Sequence, residues 1–272
     1  REDDALRDFE TAIQFDPQCW LAIHNRAVSR AQQGDIGAAL EDFNRTLALN
    51  PGLAVAYRNR GELLASLGRT KEALADYDRA IEQLPNDASL RLMRGHALHR
   101  LGQYQNALGD LNRAIQLAPQ DAEAYAHRGN IFAEMGDYRR AVADYQKSLA
   151  LDAHSPDAYR SLAWLLATCP DPEFRHPEKA LAAAERAARL APPGDPFVLD
   201  ALAAAHASAG QFDQAVRIQR EAVATAPEGF AQPFSARLAL YEQRQPFRNA
   251  ATGREIDASV DAASLERPAR QR

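Results

Sequence analysis

The chain has 272 residues, of which 46% are hydrophobic, so it is long enough to bury a large core. Its 32 basic and 37 acidic side chains are interspersed and give a net charge of −5, which leaves no basic stripe for phosphates and no polybasic patch for lipid headgroups. No apolar run approaches the roughly 18 residues that a membrane-spanning helix needs. We therefore expect neither nucleic acid nor a membrane as a partner.

The first predicted element is a short helix from Asp4 to Phe15. It has the pattern of the second helix of a two-helix unit, and no first helix precedes it. Residues 1–19 are therefore assigned to an incomplete leading repeat, and the sequence is expected to be a fragment. The sequence is therefore compatible with a signal peptide upstream of this fragment.

A unit that begins at Ala54 and ends at Asp87 recurs with a period of 34 residues. Its two apolar faces at helical spacing, separated by a break at Gly68 and followed by Pro85, predict two short helices joined by a turn. Six such units are predicted over residues 20–228, beginning near residues 20, 54, 88, 122, 156 and 195. Because no unit can bury its apolar face alone, consecutive units must stack.

Small residues at fixed positions of the unit explain how its helices pack. We expect Gly61 and Ala73 where the two helices cross, with Tyr77 beside them, and a positive φ at Gly68 that ends the first helix. A 34-residue helix-turn-helix period with these small residues resembles the tetratricopeptide repeat. The resemblance implies an all-α fold, a right-handed superhelical solenoid of helix-turn-helix repeats.

Four arginines each precede an aspartate by 16 residues. In the hairpin geometry these two positions face each other, so the spacing predicts one partly buried ion pair in each unit. The alternative, arginines that line a ligand site, is weaker because every arginine has a partner at a fixed register. The predicted pairs are Arg26 with Asp42, Arg60 with Asp76, Arg94 with Asp110, and Arg128 with Asp144.

The C-terminal part departs from this pattern. Residues 168–177 form a longer loop in the fifth unit, and its three prolines predict a stiff, protruding turn. From Thr168 onward the chain also resembles a C-terminal segment of bacterial tetratricopeptide proteins. The sixth unit lacks the arginine–aspartate spacing. We predict a capping helix within residues 229–247, and residues 248–272 have the composition of a disordered, low-complexity tail.

The chain shows no motif of a common enzyme. A glycine-rich phosphate loop, HExxH, CxxC and GxSxG are all missing, so we predict no enzymatic activity and no cofactor. His96, His99 and His127 are conceivable metal ligands, but no carboxylate or cysteine is placed to complete a shell, and we predict no metal site. Cys19 and Cys169 lie too far apart to form a disulfide, and free thiols favour a cytoplasmic location.

In the solenoid that the resemblance implies, the first helices line the concave face. The inward positions carry polar side chains of both signs, and we predict that they bind protein. The predicted site residues are His24, Arg58, Glu62, His96, His99, Arg100, Asn130, Arg160 and Trp164. The lysine and asparagine clamp with which related proteins grip chaperone tails is not reproduced. Trp164 either anchors a peptide or fills space under the loop at residues 170–177.

The leading interpretation is a non-enzymatic scaffold that binds a peptide or partner segment in the concave groove. A first alternative is a self-assembling solenoid that forms a homo-oligomer or filament through end-to-end complementation of its repeats. A second alternative is the regulatory repeat region of a larger enzyme.

Overall fold

The computed structural model describes residues 2–250, with side chains from Asp4 onward. This part of the chain forms fourteen α-helices and one short 3₁₀ turn, and it contains no strand. The helices divide between two compact units, Arg1–Pro119 and Gln120–Arg272. Residues 251–272, which include most of the predicted tail, lie outside the described residues.

The first unit holds one leading helix and three helix pairs. Each pair joins a first helix to a second helix through a turn of three residues. In chain order the helices are α1 Glu2–Phe15, α2 Trp20–Gln32, α3 Ile36–Leu49, α4 Ala54–Ser66, α5 Thr70–Gln83, α6 Ala88–Arg100 and α7 Tyr104–Leu117.

The second unit holds three helix pairs and a closing helix. Its helices are α8 Ala122–Met135, α9 Tyr138–Leu151, α10 Pro156–Thr168, α11 Pro177–Leu190, α12 Pro196–Ser208, α13 Phe212–Ala224 and α14 Ala231–Glu242. The 3₁₀ turn at Pro172–Phe174 lies between α10 and α11. The predicted fold class, an all-α solenoid of helix-turn-helix repeats, is confirmed.

The close crossing of α4 and α5 depends on Gly61, which has no side chain, as the sequence predicts. A Cβ atom on Gly61 would lie 2.7 Å from Cε1 of Tyr77, so any larger residue would collide with the ring. Gly129 faces Tyr145 in the same way at 2.8 Å, in the pair formed by α8 and α9. Gly68 has the expected positive φ, +76°, and its amide donates to the carbonyl of Ala65.

The second helix α5 also contributes to the core that it shares with the next helix pair. Ala80 and Ile81 on α5 belong to the same buried cluster as Leu64 on α4 and Leu90 on α6. The cluster explains why a single helix pair is not a stable unit, since α5 has apolar side chains on two faces and needs a neighbour for each.

The long loop of the second unit corrects one prediction. The loop does not simply protrude, because the ring of Phe174 lies 5.8 Å from the ring of Tyr138 at the start of α9. Glu173 also forms a 3.6 Å ion pair with Arg139, although both side chains remain largely exposed. The loop therefore rests against the preceding helix pair.

Candidate functional site

The four arginine–aspartate pairs are present. In each pair Nε and Nη2 of the arginine donate to the two carboxylate oxygens of its aspartate, over 2.6 to 2.8 Å. The four aspartates are only 4–6% exposed. Such paired, buried carboxylates hold each helix pair together and are not free to bind a ligand.

Two of these arginines also connect neighbouring pairs in the first unit. Nη1 of Arg60 donates to Oδ1 of Asn44 on α3, and Nη1 of Arg94 donates to Oδ1 of Asp78 on α5, both over 2.7 Å. The hydrogen bond to Asp110 is the main reason that the pKa of Arg94 is raised. The guanidinium therefore links successive repeats as well as the two helices of its own repeat.

A fifth buried aspartate with an arginine partner was not predicted. Asp200 on α12 accepts bonds of 2.7 and 2.8 Å from Nε and Nη2 of Arg237 on α14, and one of 2.8 Å from Nε2 of Gln219 on α13. Burial raises the pKa of Asp200, while Arg237 and Gln219 oppose that shift. The partners are 37 residues apart, so the 16-residue rule could not find them. An aspartate in an otherwise apolar helix was the available signal.

Three of the predicted site residues meet at one cavity in the first unit. Glu62 on α4 and His96 and Arg100 on α6 surround a cavity of about 190 Å³. Its remaining lining residues are Ala65, Thr70, Tyr77, Met93 and Ala97. Nη1 of Arg100 donates to the carbonyl of Ala65 over 3.0 Å, which holds its side chain across the two first helices.

The charges at this cavity are not equivalent. Partial burial raises the pKa of Glu62, and the nearby charge of Arg58 opposes the shift. Nε of Arg58 is itself buried without a hydrogen-bond partner. The cavity thus combines a carboxylate whose charged form is less well hydrated than in water with the exposed side chains of His96 and Arg100.

The other candidates of the first unit lie away from this cavity. His24 is only 7% exposed because its ring packs against Phe43 on α3 at 5.8 Å, and burial lowers its pKa. His99 packs against Tyr104 at a ring separation of 5.8 Å. His24 therefore has little surface to offer a partner.

In the second unit, the candidates have partners of their own. Oδ1 of Asn130 accepts a 2.8 Å bond from the hydroxyl of Tyr145, and Nη2 of Arg160 donates to Asp157 on the same helix over 3.1 Å. Trp164 is half-buried, and its ring lies 5.7 Å from the ring of Phe247, in the segment that follows α14.

Within the described residues, no group of three or more histidine, cysteine, aspartate or glutamate side chains could hold a metal ion. None of the helices in that range is both long enough and apolar enough to cross a bilayer.

Five family models match the chain. One, described as TPR repeat, matches residues 95–136, and four, described as tetratricopeptide repeat, match residues 3–54 and 24–88, 76–109, 122–155, and 198–226. Together these matches cover residues 3–155 and 198–226. The chain belongs to the tetratricopeptide repeat family.

Solved structures give the same fold. YrrB, described as a TPR protein with an unusual peptide-binding site, is 25% identical, with a TM-score of 0.55 over 70% of this chain and 95% of YrrB. A tetratricopeptide repeat protein from Parabacteroides merdae is 16% identical, with a TM-score of 0.70 over 89% of this chain and 92% of its own. PilF from Pseudomonas aeruginosa is 19% identical, with a TM-score of 0.62 over 86% and 98%. No curated protein matches the chain.

Proposed function

We propose that this chain is a non-enzymatic scaffold that binds a peptide or partner segment on the first-helix surface of its first unit. One observation carries the proposal: Glu62, His96 and Arg100, which come from two successive first helices, converge on one cavity. A scaffold of stacked repeats presents such a surface on rigid helices, so little conformational freedom is lost on binding.

The chemistry of the cavity favours a peptide over a small molecule. Its volume of about 190 Å³ is below the roughly 300 Å³ at which small-molecule sites begin, and it suits one side chain of a longer ligand. Ala65, Met93 and Ala97 offer that side chain an apolar floor, while the charged groups at the rim can bond to peptide amides and carbonyls. The description of YrrB as a peptide-binding TPR protein supports the same class of ligand.

The test uses peptides selected on the full chain from a random display library, with affinity measured by fluorescence polarisation. We expect His96→Ala combined with Arg100→Ala to weaken binding at least about tenfold, because anchors of this kind each contribute more than about 1 kcal/mol. Helical content by circular dichroism should not change.

Arg79→Ala is the matched control for the loss of a positive charge. Arg79 lies on the second helix α5 and is 65% exposed, and its one ion pair within the described residues is with Glu82 three residues away. The proposal fails if the selected peptides bind the double variant as tightly as the wild type, or if the Arg79 variant weakens them equally.

The same proposal expects no binding to duplex DNA at physiological salt, because the charges are interspersed and the net charge is −5. A gel-shift titration over several salt concentrations measures this. Submicromolar, salt-sensitive binding would contradict the proposal.

Self-association is a second candidate, and one observation on α1 favours it. Ala5, Phe9 and Ala12 are half-buried, whereas the equivalent residues of α5 are at most 2% exposed. Phe15, at the end of α1, is 87% exposed. An apolar helix face in this state can gain by packing against a second copy of the chain.

Sedimentation across a wide range of concentrations tests this candidate. We expect Phe9→Asp to abolish any concentration-dependent association, and Thr11→Asp, which adds the same charge to an exposed position of α1, to leave it unchanged. A wild-type protein that sediments as a monomer throughout would remove the candidate.

A further inference from the structure

Residues 246–249 lie on the second unit as an extended segment. The chain leaves α14 at Arg244, which has a positive φ of 56°, and then runs back to the end of α10 without forming a helix. All four residues are half-buried. The predicted disordered tail therefore does not begin at residue 248, because Arg248 and Asn249 make specific contacts with the folded unit.

The segment bonds to the C-terminal end of α10. The amide of Asn249 donates to the carbonyl of Thr168 over 2.9 Å, and its Nδ2 donates to the hydroxyl of Thr168 over 3.0 Å. Nη1 of Arg248 donates to the carbonyl of Ala167 over 3.0 Å. The last carbonyls of a helix have no partner within the helix, so this end of α10 is a ready acceptor for a peptide.

This helix end is open because α10 ends differently from the other first helices. A glycine with positive φ follows each of α2, α4, α6, α8 and α12, and it turns the chain back over the helix end. The residue after α10 is Cys169, with a φ of −51°. The loop that follows covers only part of this helix end: the amide of His176 donates to the carbonyl of Leu166 over 3.0 Å, and the carbonyls of Ala167 and Thr168 are left for the segment.

Phe247 occupies an aromatic site beside this helix end. Its ring lies 5.7 Å from the ring of Trp164, and the guanidinium of Arg237 stands 5.2 Å from the centre of Trp164 and 5.4 Å from that of Phe247. Arg237 is fixed by its two bonds to Asp200. The parts of this site other than Phe247 thus belong to α10, α12 and α14 and are held without the segment.

We propose that Trp164, Thr168 and Arg237 form a peptide-binding site that residues 246–249 occupy as a tethered ligand, and that a partner peptide with an aromatic, a basic and an amide residue in succession can replace them. This site is in the second unit and does not depend on the function proposed for α4 and α6. The bound segment itself defines the chemistry of the partner.

Two features make the bound segment exchangeable. It contributes one main-chain and two side-chain hydrogen bonds to α10 and no secondary structure, so its release exposes little backbone. Burial and the nearby charge of Arg175 lower the pKa of Arg248, whose bonds are to carbonyl oxygens and not to a carboxylate. The closed state therefore holds a positive charge at a cost, which favours release of the segment.

The tether sets how strongly a partner must compete. A short flexible connection gives the segment an effective concentration on the order of millimolar, and a free peptide of equal intrinsic affinity has to exceed that concentration. Weakening the segment's own contacts should consequently increase the apparent affinity for the free peptide.

The experiment uses the full chain and a fluorescent peptide that copies residues 245–250, QPFRNA. Polarisation should give the tightest binding for Phe247→Ala with Asn249→Ala, at least about tenfold tighter than the wild type, and an intermediate value for Asn249→Ala alone. Gln245→Ala, an exposed position next to the segment, is the matched control and should match the wild type. A peptide with alanine in place of Phe247 should not bind.

Trp164 provides a second readout when Trp20→Phe leaves it as the sole tryptophan. Its emission should shift to the red in the double variant and return to the blue on addition of the peptide. Equal peptide affinity for the wild type and both variants would overturn the proposal. The proposal is also wrong if the double variant loses helical content and Asn249→Ala binds the peptide no more tightly than the wild type, because the segment would then be a fixed part of the fold.

Discussion

Buried carboxylates are stabilised differently in two regions of the molecule, the helix pairs between Trp20 and Leu151 and the closing helices between Pro196 and Glu242. Both regions bury carboxylates, which are stable there only when they are paired and fully hydrogen-bonded. In the first region each of the four buried aspartates pairs with an arginine of the same helix pair that lies 16 residues earlier. In the second, Asp200 draws on Gln219 of α13 and Arg237 of α14.

The difference concerns which elements depend on each other. An ion pair within one helix pair does not require contacts with the ends of the chain, so it can recur in successive repeats. The Asp200 network instead joins three helices, and its arginine also covers Trp164 and Phe247. The closing helices should therefore respond as a group to a change at one residue, whereas a change in a regular repeat should stay more local.

The largest effect should come from Arg237→Ala. The side chains of Arg237 and Asp200 are only 12% and 8% exposed, so removing the arginine leaves a buried carboxylate with Gln219 as its one remaining side-chain donor. We expect a loss of about 3 to 5 kcal/mol in the free energy of unfolding, measured with urea. In an Asp200→Asn background the same change should cost much less, and an equal loss in both backgrounds would show that the pair is not the cause.

The pH dependence of this loss provides an independent check. Burial raises the pKa of Asp200 above that of an unfolded aspartate, so the folded protein binds more protons between those two values and stability falls as the pH rises through that window. Removing Arg237 takes away a group that lowers this pKa, which extends the window upward. We expect Arg237→Ala to lose less stability at about pH 5 than at about pH 7.5. A loss that does not vary with pH would contradict this account.

Within the regular repeats, Arg60→Ala should be the more damaging of two equivalent changes. In the described part of the chain Asp76 pairs with Arg60 alone, whereas Asp110 keeps a 3.0 Å bond to Arg91 when Arg94 is removed. We expect losses of about 2 to 4 kcal/mol for Arg60→Ala and about 1 to 3 kcal/mol for Arg94→Ala.

Double variants complete this comparison. Adding Asp76→Ala or Asp110→Ala should recover part of each loss, because the unpaired carboxylate is then gone. Strictly additive losses in both cycles would show that these residues do not interact. Equal losses for the two single variants would show that Arg91 does not compensate.

A smaller effect is expected at the helix crossing. Gly61→Ala places a Cβ 2.7 Å from the ring of Tyr77, and the resulting strain should cost about 1 to 3 kcal/mol. Tyr77→Leu in the same chain should relieve part of it, since the equivalent pair of Gly95 and Leu111 leaves 3.0 Å. The closing helices carry a buried Ala203 at the equivalent position of α12 and Gln219 at the position of α13 that corresponds to Tyr77. Thermal unfolding of the wild type and these two variants measures this, and a Gly61→Ala protein as stable as the wild type would contradict it.

The contrast between the regions also shows what could be predicted from sequence. The 34-residue period and the 16-residue spacing are local and repeated, so the helices, Gly61 with Tyr77, and the four ion pairs could be predicted before the structure. The contacts of Trp164 could not be predicted, because Arg237 and Phe247 lie 73 and 83 residues further along the chain and do not follow the repeat period. The burial of His24 could not be predicted either, since it depends on how the ring of Phe43 packs.

The smallest effect should come from Arg79→Ala, which removes a charge without disturbing a buried partner. Arg79 and Glu82 are 65% and 64% exposed and lie 3.1 Å apart on one helix. Water screens such a pair and both side chains lose freedom when they form it, so we expect a change within about 0.5 kcal/mol. Arg60 has the same charge, but it is only 22% exposed and its partner Asp76 only 5%, so urea unfolding of these two variants side by side separates burial from charge. A loss for Arg79→Ala close to that for Arg60→Ala would mean that net charge, and not the buried carboxylate, governs the stability of the repeats.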